Sequence, residues 1–154
     1  MKSLYDTDFS RWADETAQLL TQKRFEEIDL PALIEEVQDL AGRHREAYES
    51  HMQTIITHCL KLAYAPDAIY TYNERGWQQS IRVARINIRK LLRRNAGAAR
   101  DRDEARLNAF EDAREIVQGE CDDLGPVTWP DVCPWTLEQL LGPDCFPSRV
   151  RRSA

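Results

Sequence analysis

The stretch "DLPALIEEVQDLAGRHREAYESHMQTIITHCLKLAYAP", residues 29–66, decides the fold class. Asp29 stands where a helix N-cap accepts an otherwise unpaired backbone N–H, and Pro31 falls in the first turn, where its missing N–H costs nothing. Leu33, Ile34, Val37, Leu40 and Ala41 follow as an apolar stripe. Met52, Ile55, Ile56, Cys59, Leu60 and Ala63 resume the stripe at i, i+3, i+4, i+7, i+8 and i+11, the period of one buried helix face. Gly42 lies between the two runs, and the spacing predicts a break or kink there. No alternation of period two, the mark of a strand, is found here or elsewhere in the chain.

Working outward, the same period predicts a helix from Asp8 to Gln22, with Phe9, Trp12, Leu19 and Leu20 on its apolar face. "KRFEEIDLP" interrupts it. Pro66 ends the central pattern, and "APDAIYTYNERG", residues 65–76, reads as a loop. Trp77, Ile81, Ala84, Ile88 and Leu91 step through a further helix that ends near Asn95–Gly97. Asp101 or Asp103 starts the next, with Leu107, Phe110, Ala113 and Val117 on its apolar face and Gly119 as its stop. Pro126, Pro130 and Pro134 predict an extended tail anchored by Trp129 and Trp135. Thr136 and Gln139 have capping-box spacing and open a short helix through Leu140 and Leu141, closed by Gly142–Pro143. The expectation is an all-α, single-domain bundle of four to five main helices over residues 1–154. Core helices lie within 8–118, and a Pro-rich tail with a short C-terminal helix, 119–154, packs on them.

Composition sets bounds on function. At 154 residues the chain is long enough to bury a core, and 31% charged with 42% hydrophobic residues is globular rather than disordered. A net charge of −5 weighs against a dedicated nucleic-acid binder. No apolar run approaches the ~20 residues of a membrane span. The start "MKSLYDTDFSRW" has no apolar signal core, and the four cysteines form no C-x-x-C pair, so the expected location is the cytoplasm and no zinc site is expected in the tail.

Several blocks in order resemble one bacterial family, the domain of unknown function numbered 29. They are "YDTDFSRWADETAQLL", "RFEEIDLPALIEEVQDL", "HCLKLAYAP", "WQQSIRVARINIRKLL" and "VCPWTLEQLLGPDCFP". The chain departs from the family's usual pattern at Gly76–Trp77–Gln78 and at "NAGAAR". The resemblance implies a small helical bacterial protein and brings no activity or cofactor with it.

Three groups of residues are candidates for chemistry. His44, His51 and His58 are spaced by seven, a rise of ~10.5 Å per step on a helix, so no two can share an ion with ~2.0–2.1 Å bonds. No metal or other cofactor is expected. The three read as a stripe at the edge of a core, and His58, amid Ile55, Cys59 and Leu62, is expected to pair across a helix–helix contact with Glu36. Arg82, Arg85, Arg89 and Arg93 form a basic face in a stretch, 75–100, with eight Lys or Arg and no acid. Residues 26–39 hold six acids and no base, so the balance favours charge pairing between the two segments over a nucleic-acid surface. Tyr64, Tyr70, Tyr72, Arg75 and Trp77 form a candidate loop edge. With no nucleophile–base pair, phosphate loop or complete metal motif, the leading reading is a non-catalytic interaction protein. Its partner is an unidentified protein, a second copy being one candidate. The alternatives are a Glu36/His58 enzyme, a metal-assisted hydrolase or nuclease for which "REAYESH" offers a loose Arg-to-His motif, and a nucleic-acid-associated protein using Arg82–Arg93.

Overall fold

The computed structural model describes residues 3–150, and it is all-α among them. Six helices follow one another: α1 (Leu4–Thr7), α2 (Phe9–Thr21), α3 (Leu30–Tyr64), α4 (Asp67–Arg94), α5 (Arg102–Cys121) and α6 (Leu137–Leu141). Four of these are the main helices, as the periodicity predicts. The last four residues of the predicted tail lie outside the described residues. The chain groups into two compact units, one running to Arg43 and one starting at His44.

In the first unit each helix start is made by a side chain that the sequence supplies. Ser3 and Asp6 form a reciprocal capping box at α1. The Asp8 carboxylate accepts the Arg11 backbone N–H at 3.1 Å and starts α2. The α2 helix ends in a Schellman turn built without glycine: Lys23 takes the left-handed φ of 59°, and the Lys23 and Arg24 N–H groups donate to the Leu20 and Leu19 carbonyls. Asp29 caps α3 as expected, accepting the Ala32 N–H at 3.2 Å. Few residues are buried here: Trp12, Thr16, Ile28 and Ala32. The rings of Tyr5 and Trp12 meet edge-on at 4.8 Å, with Phe9 beside them.

A break or kink was expected at Gly42, and no break occurs: α3 remains helical through it. A lone glycine weakens a helix by only ~1 kcal/mol, and no proline follows until Pro66, so the preference was too small to decide the geometry. A Cβ added at Gly42 would meet nothing within 4 Å.

The second unit carries the core. Tyr48, Met52, Ile55, Ile56, Cys59 and Leu60 of α3 pack with Trp77, Ile81, Ala84 and Ile88 of α4 and with Ala109, Phe110, Ala113 and Val117 of α5. The sequence loop 65–76 is a correction: α3 and α4 are joined only by Ala65 and Pro66, and α4 begins at Asp67. Pro66 sits in extended backbone at the N-cap position, and Asp67 places a negative charge in the first turn, where the helix dipole favours it. Tyr70 then extends the Trp77–Ile81–Ala84–Ile88 period backward by two turns, its ring meeting Trp77 edge-on at 6.0 Å. Gly119 does not stop α5, which continues to Cys121. The tail carries buried Trp129. The Thr136–Gln139 box at α6 forms both of its hydrogen bonds, at 2.9 and 3.2 Å.

Gly42→Ala should raise stability by about 0.5–1 kcal/mol, because the added methyl has room and the unfolded chain loses freedom. Urea unfolding checks this. A variant less stable than the parent would mean that the backbone at residue 42 is not helical in solution.

Candidate functional site

Glu36 and His58 do not meet. Both lie on α3, 22 positions apart in the sequence, and no hydrogen bond joins them among the described residues. The pairing rested on the break at Gly42, and it falls with that break. Glu36 is satisfied within its own unit: the Tyr5 hydroxyl donates to Oε1 at 2.9 Å and Arg43 Nη2 donates to Oε2 at 2.8 Å. The bond to Glu36, with burial adding to it, pushes the Tyr5 phenol up to about 12. His58 is half-buried with its Nδ1 enclosed and unpartnered among the described residues. Burial pushes its imidazole down to about 4; the neighbouring Lys61 ammonium acts in the same direction, and Glu120, ion-paired with Lys61, opposes it. A histidine that stays neutral, touches no carboxylate and lacks a bonded orienting group is a packing residue, and no acid–base pair is built around it. His44 and His51 are half-buried on the same helix.

The basic face is divided. Arg82, Arg89 and Arg93 are exposed and make no ion pair among the described residues, while Arg85 is 2% exposed. The Arg85 guanidinium is aimed at the end of α6. Its Nε donates to the Leu140 carbonyl at 2.7 Å, and Nη2 donates to those of Cys145 at 2.6 Å and Gln139 at 3.3 Å. Nη1 reaches the Pro143 carbonyl at 3.4 Å. The Phe146 ring lies over it, with Cζ 5.3 Å from the centroid. Burial disfavours the cation, and backbone carbonyls left over at a helix C-terminus compensate it. Arg85 therefore holds the tail and is not part of a binding surface. Two of the six acids of the acidic stretch are paired locally, Glu27 with Arg24 and Glu36 with Arg43.

The proposed loop edge is a helix end fastened by the tail. Arg149 stacks over the Tyr70 ring at 4.1 Å, donates to the Ala65 carbonyl at 2.9 Å and pairs with Asp67 at 2.5 Å. The Val150 N–H donates to the Ala63 carbonyl at 2.9 Å. These bonds satisfy carbonyls at the close of α3 that have no partner within the helix. Tyr70 donates to Glu74 at 2.9 Å, and Trp77 is buried. Of the group Tyr72, at 88% exposure, and Arg75 stand in solvent. A cavity of about 400 Å³ lies beside this corner, lined by Cys59, Tyr64, Trp135, Leu140 and Phe146 among others. Burial pushes the Cys59 thiol up to about 12, so it is no nucleophile at neutral pH. Among the described residues no three His, Cys, Asp or Glu are grouped so as to hold a metal.

The feature that the sequence reading missed is an exposed one. Leu30, Ile34, Val37 and Leu40 on α3 are all between 51% and 58% exposed. Ile34, Val37 and Leu40 were assigned to the core because their period matches the buried run further along α3. The period is right, but a period reports a face and not what covers it. Glu35 and Asp39 are exposed on the opposite side of α3, where both act on the Tyr5 phenol.

The family model described as "Domain of unknown function DUF29" matches residues 4–146. No curated protein and no solved structure matches the chain.

Two outcomes follow from the geometry. Arg85→Met should cost about 1–3 kcal/mol, since it leaves buried carbonyls without donors, and Arg85→Lys should recover little because an ammonium cannot reproduce the fork. Urea unfolding decides; a loss below ~1 kcal/mol would show the tail to be held otherwise. For His58 the folded pKa lies below the unfolded value of ~6.5, so the unfolded chain takes up the proton first. Stability contributed by neutral His58 is present above pH ~6.5 and is lost progressively as pH falls toward 4. NMR should find the ring neutral at pH 5, and His58→Gln should flatten the stability profile between pH 6.5 and 4. A ring that titrates near 6.5 would refute the burial.

Proposed function

Because the chain belongs to the family of domains of unknown function DUF29, its role has to be read from its own surface, and we propose that it is a non-catalytic interaction protein whose docking face is the α3 stripe. One observation carries this reading: Leu30, Ile34, Val37 and Leu40 stand in solvent at successive helical turns, in a helix whose other half is core. Monomeric proteins seldom leave such a contiguous apolar face bare, and an amphipathic helix commonly lays itself on another through residues at this spacing. No helix among the described residues is long and apolar enough to cross a membrane. The cytoplasm suits a chain with four cysteines and no C-x-x-C pair.

A second reading has support in the exposed Arg82, Arg89 and Arg93, which make no ion pair among the described residues and are suited to phosphate contacts, though the Arg82 guanidinium lies over the Phe146 ring at 4.8 Å. It is the weaker of the two. Arg85 is withdrawn from the face, aliphatic Val83 and Ile86 interrupt it, and no aromatic residue is interleaved for base stacking. The Glu36/His58 enzyme reading is not carried further, since the described partners of Glu36 are Tyr5 and Arg43.

A photo-crosslinking amino acid at Ile34, irradiated in living cells, should yield one discrete adduct. The adduct should vanish when Val37→Glu and Leu40→Glu are added, substitutions that an exposed face tolerates without unfolding. No adduct at any expression level would refute the docking role.

A further inference from the structure

We propose that the cavity bounded by the end of α3, by α6 and by the tail binds a small neutral molecule that is flat, largely apolar and equipped with a hydrogen-bond acceptor such as a carbonyl oxygen. At about 400 Å³ the cavity falls in the range of small-molecule pockets, and every residue lining it belongs to the second unit. Cys59, Ala63 and Leu140 form its floor and are buried, at 2% exposure or less. Tyr64, Trp135 and Phe146 form its walls and are half-buried. Gln139 and Ser148 stand in solvent at its mouth, so a ligand can enter without parting the helices. The walls are held before anything binds. The Tyr64 ring meets that of buried Trp129 at 6.3 Å, and the Arg82 and Arg85 guanidiniums lie over the Phe146 ring at 4.8 and 5.3 Å. Three aromatic walls favour a flat partner, which can stack on one ring and meet another edge-on.

The chemistry of the lining selects the ligand. It holds no Asp, Glu, Lys, Arg or His, so a charged ligand would give up its water with no opposite charge to meet. The two guanidiniums over Phe146 make the field at that wall positive, which weighs further against a cation. Backbone acceptors around the cavity are already engaged. Arg85 takes the carbonyls of Gln139, Leu140 and Cys145, Arg106 takes that of Trp135, and the Val150 N–H takes that of Ala63. What remains is of donor type. Gln139 Oε1 accepts the Thr136 N–H at 2.9 Å, which leaves its amide NH2 as the strongest spare donor. The Ser148 hydroxyl is a second. Burial pushes the Cys59 thiol up to about 12, so it keeps its proton and presents a weak S–H donor at the floor. A ligand with an acceptor satisfies these groups, and one without leaves them unpaired after displacing their water.

The test titrates three naphthalenes of similar shape into the full chain and follows them by NMR. Acetylnaphthalene is neutral and carries a carbonyl, ethylnaphthalene lacks the acceptor, and naphthoate is an anion. Acetylnaphthalene should shift the ring signals of Trp135 and Phe146 and the methyl signals of Leu140. It should bind at least about fivefold more tightly than either of the others. Gln139→Glu keeps an oxygen to cap α6 and removes the amide donor, so it should abolish the preference for the ketone over the hydrocarbon. Ser148→Trp, a change at an exposed position, should fill the mouth and weaken all binding at least about tenfold while the melting point stays parental. Should that variant melt early, the ketone preference and its loss in Gln139→Glu still decide. Ethylnaphthalene binding as tightly as the ketone, or naphthoate binding more tightly, overturns the proposal. So do shifts confined to residues outside the cavity, or no shift up to the solubility limit. So does a ketone preference that survives Gln139→Glu, or a stable Ser148→Trp that binds like the parent. The docking role of the α3 stripe is tested separately, because Leu30, Ile34, Val37 and Leu40 lie in the first unit.

Discussion

A buried guanidinium with no carboxylate beside it is the constraint on which the second unit depends. Arg85 gives up its hydration to four backbone carbonyls, those of Gln139, Leu140, Pro143 and Cys145. The arrangement is selective because the guanidinium is planar and its donors point in fixed directions. The carbonyls must arrive together, and they do so only when α6 has formed and the chain has turned at Gly142. The Thr136–Gln139 box starts that helix, Arg85 closes it, and Phe146 covers the cation. Five residues of helix have little stability alone. This one is held at both ends by side chains, one local and one from the middle of α4.

The tail makes a second closure at the α3–α4 corner through Arg149 and Val150. Here too a cation and an N–H reach carbonyls that the end of a helix leaves over. The extended segments after α5 therefore fasten the helices by polar contacts as well as by the apolar weight of Trp129 and Leu140. The first unit has no comparable device. Its buried set is small, and Leu30, Ile34, Val37 and Leu40 of its long helix stand in solvent.

Periodicity made the helices legible. It found α2, α5 and α6, the cap at Asp29 and the inward residues of α4, because each rests on local chemistry within a few residues. It failed where the deciding term was not local. Gly42 looked like a boundary because a single weak helix former was weighed without the long helix on either side. Residues 65–76 looked like a loop because Thr71 and three aromatic or β-branched neighbours masked a helical period set by Trp77. Glu36 and His58 were joined only by that mistaken boundary. Arg85 was legible as a cation but not as a buried one, since its partners lie 54 to 60 residues away and are backbone groups that carry no signature in the sequence. The exposed stripe on α3 was legible as apolar, and nothing in a spacing says whether such a face is covered.

The sequence distance between Arg85 and its acceptors also sets an order in time. A chain made at ~5–20 residues per second leaves Arg85 waiting about 3–12 s for Cys145 to be synthesised. Through that interval the guanidinium must stay in water, since burying it unpaired would cost several kcal/mol. The α4 face that carries it cannot finish packing. A ribosome pausing within the proline-rich segment would prolong the open interval, and the nascent helices would spend it as clients for chaperones.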